Sequence, residues 1–249
     1  MRSWMTPSSI MWLAGHVLLV FAGMLCMTTE GERAFGEALG ESLGSGLLAT
    51  GIAGLVLYLY VRATESVQKR LDIITEAGLI NVFRHRSMRI KGEYDSRLQT
   101  ASRIDLIGLG LSSFREDYKA QFAEWSQKAR IRIILLDPDF PSADHSLADL
   151  RDLEEGGKRG EIRADVEAFI AEVSGNRKID TTRLEIRTAS IIPAINLLRI
   201  DDEIFWGPYL MAERSRNTPT LLVRRGGFLF ESLENHFEAT WSAADRARG

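Results

Sequence analysis

The chain has 249 residues, a formal net charge of −3 and 45% hydrophobic residues. That balance excludes broad nucleic-acid binding through a basic surface. The single cysteine, Cys26, excludes an intrachain disulfide and a cysteine-rich metal site.

The apolar residues are concentrated in the first quarter, which predicts a membrane module ahead of one domain of about 150 residues. Ile10 to Met27, IMWLAGHVLLVFAGMLCM, is the first apolar run. Arg2 before it suits a signal peptide, but small residues at −1 and −3 of a cleavage site are missing near its end. The run therefore reads as a retained helix. His16 within it reads as a neutral imidazole hydrogen-bonded inside the bundle, with a proton-sensing or pore-lining group as the alternative.

An acidic stretch follows, with Glu30, Glu32, Glu37 and Glu41 against Arg33. Leu43 to Val61, LGSGLLATGIAGLVLYLYV, then runs for about nineteen residues without charge or proline, close to the length that spans a ~30 Å hydrocarbon core. Tyr58 and Tyr60 close it at headgroup depth, and Arg62 follows. Residues 1–62 are thus expected to form a transmembrane hairpin. Arg62, Lys69, Arg70, Arg84, Arg86, Arg89 and Lys91 come after the second run, so the positive-inside rule places the C-terminal domain of a multi-pass inner-membrane protein in the cytoplasm. Gly46, Thr50 and Gly54 recur every four residues, as do Gly36, Gly40 and Gly44. Small residues at that spacing let helices approach closely, either within the hairpin or between subunits of a homo-oligomer.

Residues 63–93 read as a helical connector. Thr64 to Ala77 continues the second helix, with Val67, Leu71 and Ile74 on one face and Gly78 as its C-cap. This segment is long enough to transmit a movement to the membrane, or to act as a spacer. Leu79 to Phe83 suggests a short strand. Arg84, His85, Arg86, Arg89 and Lys91 are expected to meet the anionic inner leaflet, with an RNA or nucleotide site as the sharper alternative.

From Tyr94 to Gly249 the pattern becomes that of an α/β domain with a mixed sheet. Strands are predicted at 103–108, 131–136 and 183–187, separated by helices at 113–129, 147–155 and 162–173, which implies parallel pairing with right-handed crossovers. A hairpin follows, 195–200 and 203–206 around Asp201-Asp202. A strand at 220–223 and a helix from Phe228 to Ala244 end the pattern.

This order resembles a single repeat of the phospholipase D superfamily, over roughly Leu98 to Ala244. The family signature sets a histidine and a lysine two apart on a strand, an aspartate five residues after the lysine, and a glycine after the next strand. Asp201 and Gly207 match it; Ala194 and Asn196 stand where the histidine and lysine belong. Phosphodiester transfer in this family needs an imidazole nucleophile and a cation on the phosphoryl oxygens, and these two residues supply neither. The resemblance therefore implies binding rather than turnover, as in bacterial regulatory proteins with an eroded signature, and no cofactor.

Ligands of open α/β sheets sit beyond the C-terminal ends of the strands. There the candidates are Ser112 and Ser113 in a glycine-serine turn, Asp137 and Asp139 around Pro138, Asn196 at the vestigial lysine position, Asp201, and Tyr209. Ser112 or Ser113 is expected to cap a helix, and Arg214, Arg216, Arg224 and Arg225 lie on or near a loop able to close over phosphate. The favoured reading is a membrane-anchored sensor or effector whose cytoplasmic domain binds a small molecule, a nucleotide among the options, and drives the membrane helices to assemble or rearrange in signalling or antiphage defence. The alternative is a membrane-tethered phosphodiesterase or nuclease using Asp137, Asp139, Asp201 and a metal.

Overall fold

The computed structural model describes residues 7–28, 33, 36–84, 88–191 and 193–247. Arg2, Glu30, Glu32, His85 and Arg86 lie outside them. The chain divides into two compact units, Met1–Ile73 and Ile74–Gly249.

The first unit is a pair of helices, α1 (Pro7–Cys26) and most of α2 (Glu37–Ala77). Both are long and apolar enough to cross a membrane. They pack antiparallel through glycines. A Cβ placed on Gly23 would lie 2.8 Å from the Gly44 carbonyl oxygen, and one on Gly51 would lie 2.9 Å from the Val20 nitrogen. One on Gly54 would fall 1.8 Å from a ring carbon of His16. The His16 ring is held by Nδ1 at 2.9 Å from the Trp12 carbonyl and stacks on Trp12 at 3.8 Å between centroids. The four-residue glycine pattern is thereby split. Gly44 and Gly54 pack inside the chain, whereas Gly46 has nothing within 4 Å and Thr50 is exposed. Gly54→Leu should overpack this seam and destabilise the helix pair by on the order of 1–3 kcal/mol. Gly15→Leu, at an open position, should change the melting temperature in nanodiscs little; equal effects of the two would contradict this packing.

The second unit contains β1 (Leu79–Phe83), α3 (Met88–Leu98), β2 (Arg103–Gly108), α4 (Ser112–Tyr118), α5 (Phe122–Lys128) and β3 (Arg130–Leu136). There follow α6 (Leu147–Glu154), α7 (Glu161–Gly175), β4 (Leu184–Ala189), β5 (Ile195–Ile200), β6 (Glu203–Pro208), β7 (Thr220–Arg224), α8 (Phe228–Ala243) and β8 (Asp245–Arg246). The strands form one mixed sheet of order β1-β7-β6-β5-β2-β3-β4-β8. β2, β3 and β4 run parallel, and the other pairings are antiparallel. The central strands are apolar runs because helices cover both faces. Phe114, Phe122 and Phe169 pack with Leu106, Ile133 and Leu198 on one side, and Phe230, Phe237 and Trp241 with Ile107, Ile134 and Leu197 on the other.

Three expectations change. The boundary at Tyr94 moves back to Ile74, because β1 pairs with β7 at the sheet edge and α3 buries Ile90, Tyr94 and Leu98 in the core. The single helix over 113–129 is two, broken where the Gln121 amide bonds the Tyr118 carbonyl three residues back. Lys91, assigned to a lipid-facing cluster, instead pairs with Asp117 at 3.3 Å and lies over the Tyr118 ring.

The face under α8 also carries charge. Register places Arg199, Asp105 and Arg132 side by side on β5, β2 and β3. Asp105 is fully buried and accepts from Arg132 Nε at 2.7 Å, Arg132 Nη2 at 3.0 Å and Arg103 Nε at 2.8 Å. Glu238, one turn after Glu234 on α8, accepts from Arg132 and Arg103, and Glu234 accepts from Arg199. Three guanidinium groups thus face three carboxylates, and the Arg132 guanidinium also lies 4.5 Å from the Phe237 ring centroid.

Candidate functional site

The residues that follow β2 open a cavity of about 210 Å³ at the C-terminal end of that strand. Gly108 lets the chain fold over at once: a Cβ there would lie 2.3 Å from a Leu111 methyl. Leu111 itself takes a left-handed φ of 52° and stands at the N-cap of α4 without a side-chain cap. This corrects the expectation that Ser112 or Ser113 caps the helix. Both serines instead line the cavity, and Ser112 hydrogen-bonds the Asp165 carboxylate.

The walls have distinct chemistry. Tyr94, Leu106, Leu198 and Phe205 supply apolar surface. Asn196 on β5 and Thr220 on β7 project from the sheet, beside the two serines. Asp152, Glu155, Glu161 and Asp165 come from the α6–α7 region, and Arg214 and Arg216 from the loop between β6 and β7. Burial raises the carboxyl of Asp165, against the Ser112 hydrogen bond and the pull of Arg115. Burial likewise raises that of Asp152, although Asp152 accepts from the Ile162 amide at the start of α7. Gly207 pairs with Asn196 across the hairpin, and a Cβ there would lie 2.5 Å from the Pro219 carbonyl oxygen. Glycine at that position allows the segment leading into β7 to close against the site.

A second, more apolar cavity of about 400 Å³ adjoins the first. The two share Leu109 and Tyr209 in their linings; Leu136, Leu147, Leu150 and Ala194 line the second. The Tyr209 hydroxyl accepts from the Leu109 amide at 3.1 Å, and burial pushes its phenol pKa up. Its ring faces the Arg151 guanidinium at 5.7 Å, so Tyr209 braces the two cavities rather than offering a free stacking face.

Arg151 also fixes the loop that carries Arg214 and Arg216. Its Nη2 donates to the carbonyls of Leu210 at 3.0 Å and Glu213 at 2.8 Å. Glu154 accepts from the amide of Ala212, a residue at φ 59°. Arg214 reaches Glu161 at 4.0 Å across the cavity mouth.

Of the residues expected to form a site, Ser112, Ser113, Asn196 and Tyr209 converge here. Asp137, Asp139 and Asp201 do not. Asp137 accepts from the Asp139 amide and the Ser190 hydroxyl, and Asp139 pairs with Arg163. Asp201 sits at the opposite end of the sheet, at φ 50°, where its carboxylate accepts from the Ser102 and Arg103 amides. Its matched position in the signature is thus a turn-building one. Among the described residues no cluster of three or more His, Cys, Asp or Glu side chains is arranged to hold a metal ion. The acidic wall was not anticipated. Asp152 on α6 and Asp165 on α7 lie on ordinary amphipathic helices, and only the packing of α7 against α6, α4 and the turn after β2 brings them to the site.

No protein-family model matches the chain, and no curated protein matches it. Among solved structures, it is similar to TrmBL2, an archaeal chromatin protein whose structure shows a novel mode of DNA binding, at 14% identity and a TM-score of 0.42, over 82% of this chain and 71% of that one. It is also similar to Nuc from Salmonella typhimurium, a phospholipase D family member, at 14% identity and a TM-score of 0.43, over 68% of this chain and 99% of that one.

Proposed function

We propose that the chain is a membrane-anchored sensor or effector. Its second unit binds a small polar ligand in the cavity beyond β2, and its two apolar helices assemble or rearrange in response. The observation that carries this reading is the cavity's composition. Hydroxyl, amide, carboxylate and guanidinium groups converge on it, and among the described residues its lining includes no histidine, lysine or cysteine. Such a lining can grip a polar molecule, and its one described hydroxyl–carboxylate pair, Ser112 with Asp165, stands without the histidine and lysine that the phospholipase D signature supplies. Arg214 and Arg216 suit a phosphate, while Glu155, Glu161 and Asp165 suit hydroxyl or amino groups, so a nucleotide is the ligand class of choice. The basic residues after Val61 support a cytoplasmic position for this unit and an inner-membrane location for the helices. Signalling or antiphage defence is the setting this arrangement suits.

Calorimetric titration of the full chain in lipid nanodiscs with a panel of mononucleotides and dinucleotides, with and without magnesium, tests the reading. Saturable binding is expected, weakened at least tenfold by Arg214→Ala with Arg216→Ala and removed by Asn196→Leu. Turnover of bis-p-nitrophenyl phosphate that vanishes with Asn196→Leu would overturn it in favour of an enzyme.

A further inference from the structure

The helix α2 has a face that the pairing with α1 does not use. Along it Leu43, Gly46, Thr50, Ala53, Leu57 and Tyr60 follow at alternating steps of three and four, and all are exposed. The repeat continues without a break through Thr64, Val67, Leu71 and Ile74. Lipid can cover the first stretch. The second lies among Lys69, Arg70, Asp72 and Glu76, outside any hydrocarbon, yet Val67, Leu71 and Ile74 are 54%, 52% and 43% exposed.

The charges keep off this seam. In heptad terms Leu71 takes an a position and Val67 and Ile74 take d positions. Lys69, Asp72 and Glu76 then fall at outward positions. The positions flanking the seam hold Ala63, Gln68 and Thr75, with Arg70 the one charged exception. A partner must cross the bilayer beside α2 and keep the same register over about four heptads. A second copy of this chain, inserted the same way, runs parallel to the first and meets both conditions.

We infer that α2 is the core of a parallel homo-oligomeric bundle of three or four copies, joined along the seam from Leu43 to Ile74. The order follows from side-chain shape. That shape is set where the seam leaves the hydrocarbon: Leu71 at a between the β-branched Val67 and Ile74 at d packs best around three or four helices, whereas β-branched residues at a with leucine at d favour two. This inference rests on the proposal that the chain works through assembly of its membrane helices, and it names the surface and the copy number.

Mass photometry of the full chain in native nanodiscs tests it. Wild type should contain three or four copies. The swap Val67→Leu, Leu71→Ile, Ile74→Leu keeps the stripe apolar and should shift the count to two. In a Cys26→Ala background, Val67→Cys should cross-link between copies and Lys69→Cys should not. One or two copies in wild type, an unchanged count after the swap, or equal cross-linking at both positions would overturn the bundle. Nucleotide titration of the same samples separates this from failure of the ligand reading: the swap variant should still bind nucleotide saturably, with an affinity shifted only by its coupling to assembly, and Asn196→Leu should leave the copy number without nucleotide unchanged.

Discussion

Replacing Asp105 by alanine is expected to destabilise the second unit by roughly 3–5 kcal/mol, the cost of removing one partner from a buried ion pair. The change leaves Arg132, a few per cent exposed, with only the partly exposed Glu238 to balance it, and strips a partner from Arg103. For a unit of this size the melting temperature should fall by roughly 6–20 °C. Exchanging Asp105 and Arg132 together for Leu and Met removes both charges and should recover much of the loss, since apolar replacements of buried pairs are often neutral. A double variant as unstable as the single one would show that the pair itself, rather than the orphaned charge, carries the stability.

Acid should act on the same cluster. Hydrogen bonds from Arg132 lead the causes that bring the Glu238 carboxyl down to about 2, against its burial and with the attraction of Arg132 and Arg103. A carboxyl depressed in the folded state adds stability above its unfolded value near 4.5 and loses it as pH falls towards 2. Glu238→Gln should flatten that part of the stability profile.

Gly78→Val is the second change with a large expected effect. Gly78 ends α2 with a φ of 72°, and its carbonyl accepts from the Arg224 amide at 2.8 Å. A Cβ there would lie 2.6 Å from the Arg224 carbonyl oxygen and 3.0 Å from the Gly227 Cα. Backbone strain alone costs roughly 1–3 kcal/mol for a non-glycine residue held in this region, and a β-branched one fares worst. Valine must also push the end of α2 off the β7–α8 turn. A fall of about 5 °C or more in melting temperature is expected. An unchanged melting temperature would mean that this junction yields freely.

The secondary structure was readable because the chain obeys its periods. Apolar runs such as IRIILL are central strands, Leu233, Phe237 and Trp241 line one face of a helix, and Gly78 marks a helix end. The buried charges were not readable. RIDLIG, IRIILL and INLLRI each hide a charged residue in an apolar run, and only strand register sets Arg199, Asp105 and Arg132 abreast. The cavity was half readable. The turn after β2 and Asn196 follow from strand ends, whereas the acidic wall depends on how α7 packs against α6, α4 and the turn after β2. Asp201 looked like a site residue because signature spacing records sequence distance, while the β5–β6 hairpin carries it to the far end of the sheet. Gly54 looked like a candidate contact between subunits because a four-residue repeat does not say which helix fills it; His16 does.

The central proposal is that occupancy of the cavity beyond β2 reaches the two apolar helices through α2. It is tested most directly by an environment-sensitive fluorophore on Gln68→Cys, in the Cys26→Ala background, while the full chain in nanodiscs is titrated with the nucleotide that calorimetry finds to bind. The account predicts a saturable change in emission at the same concentration as binding, absent in the Asn196→Leu variant. Saturation by nucleotide with no change in emission, from a label that responds to solvent, would contradict it.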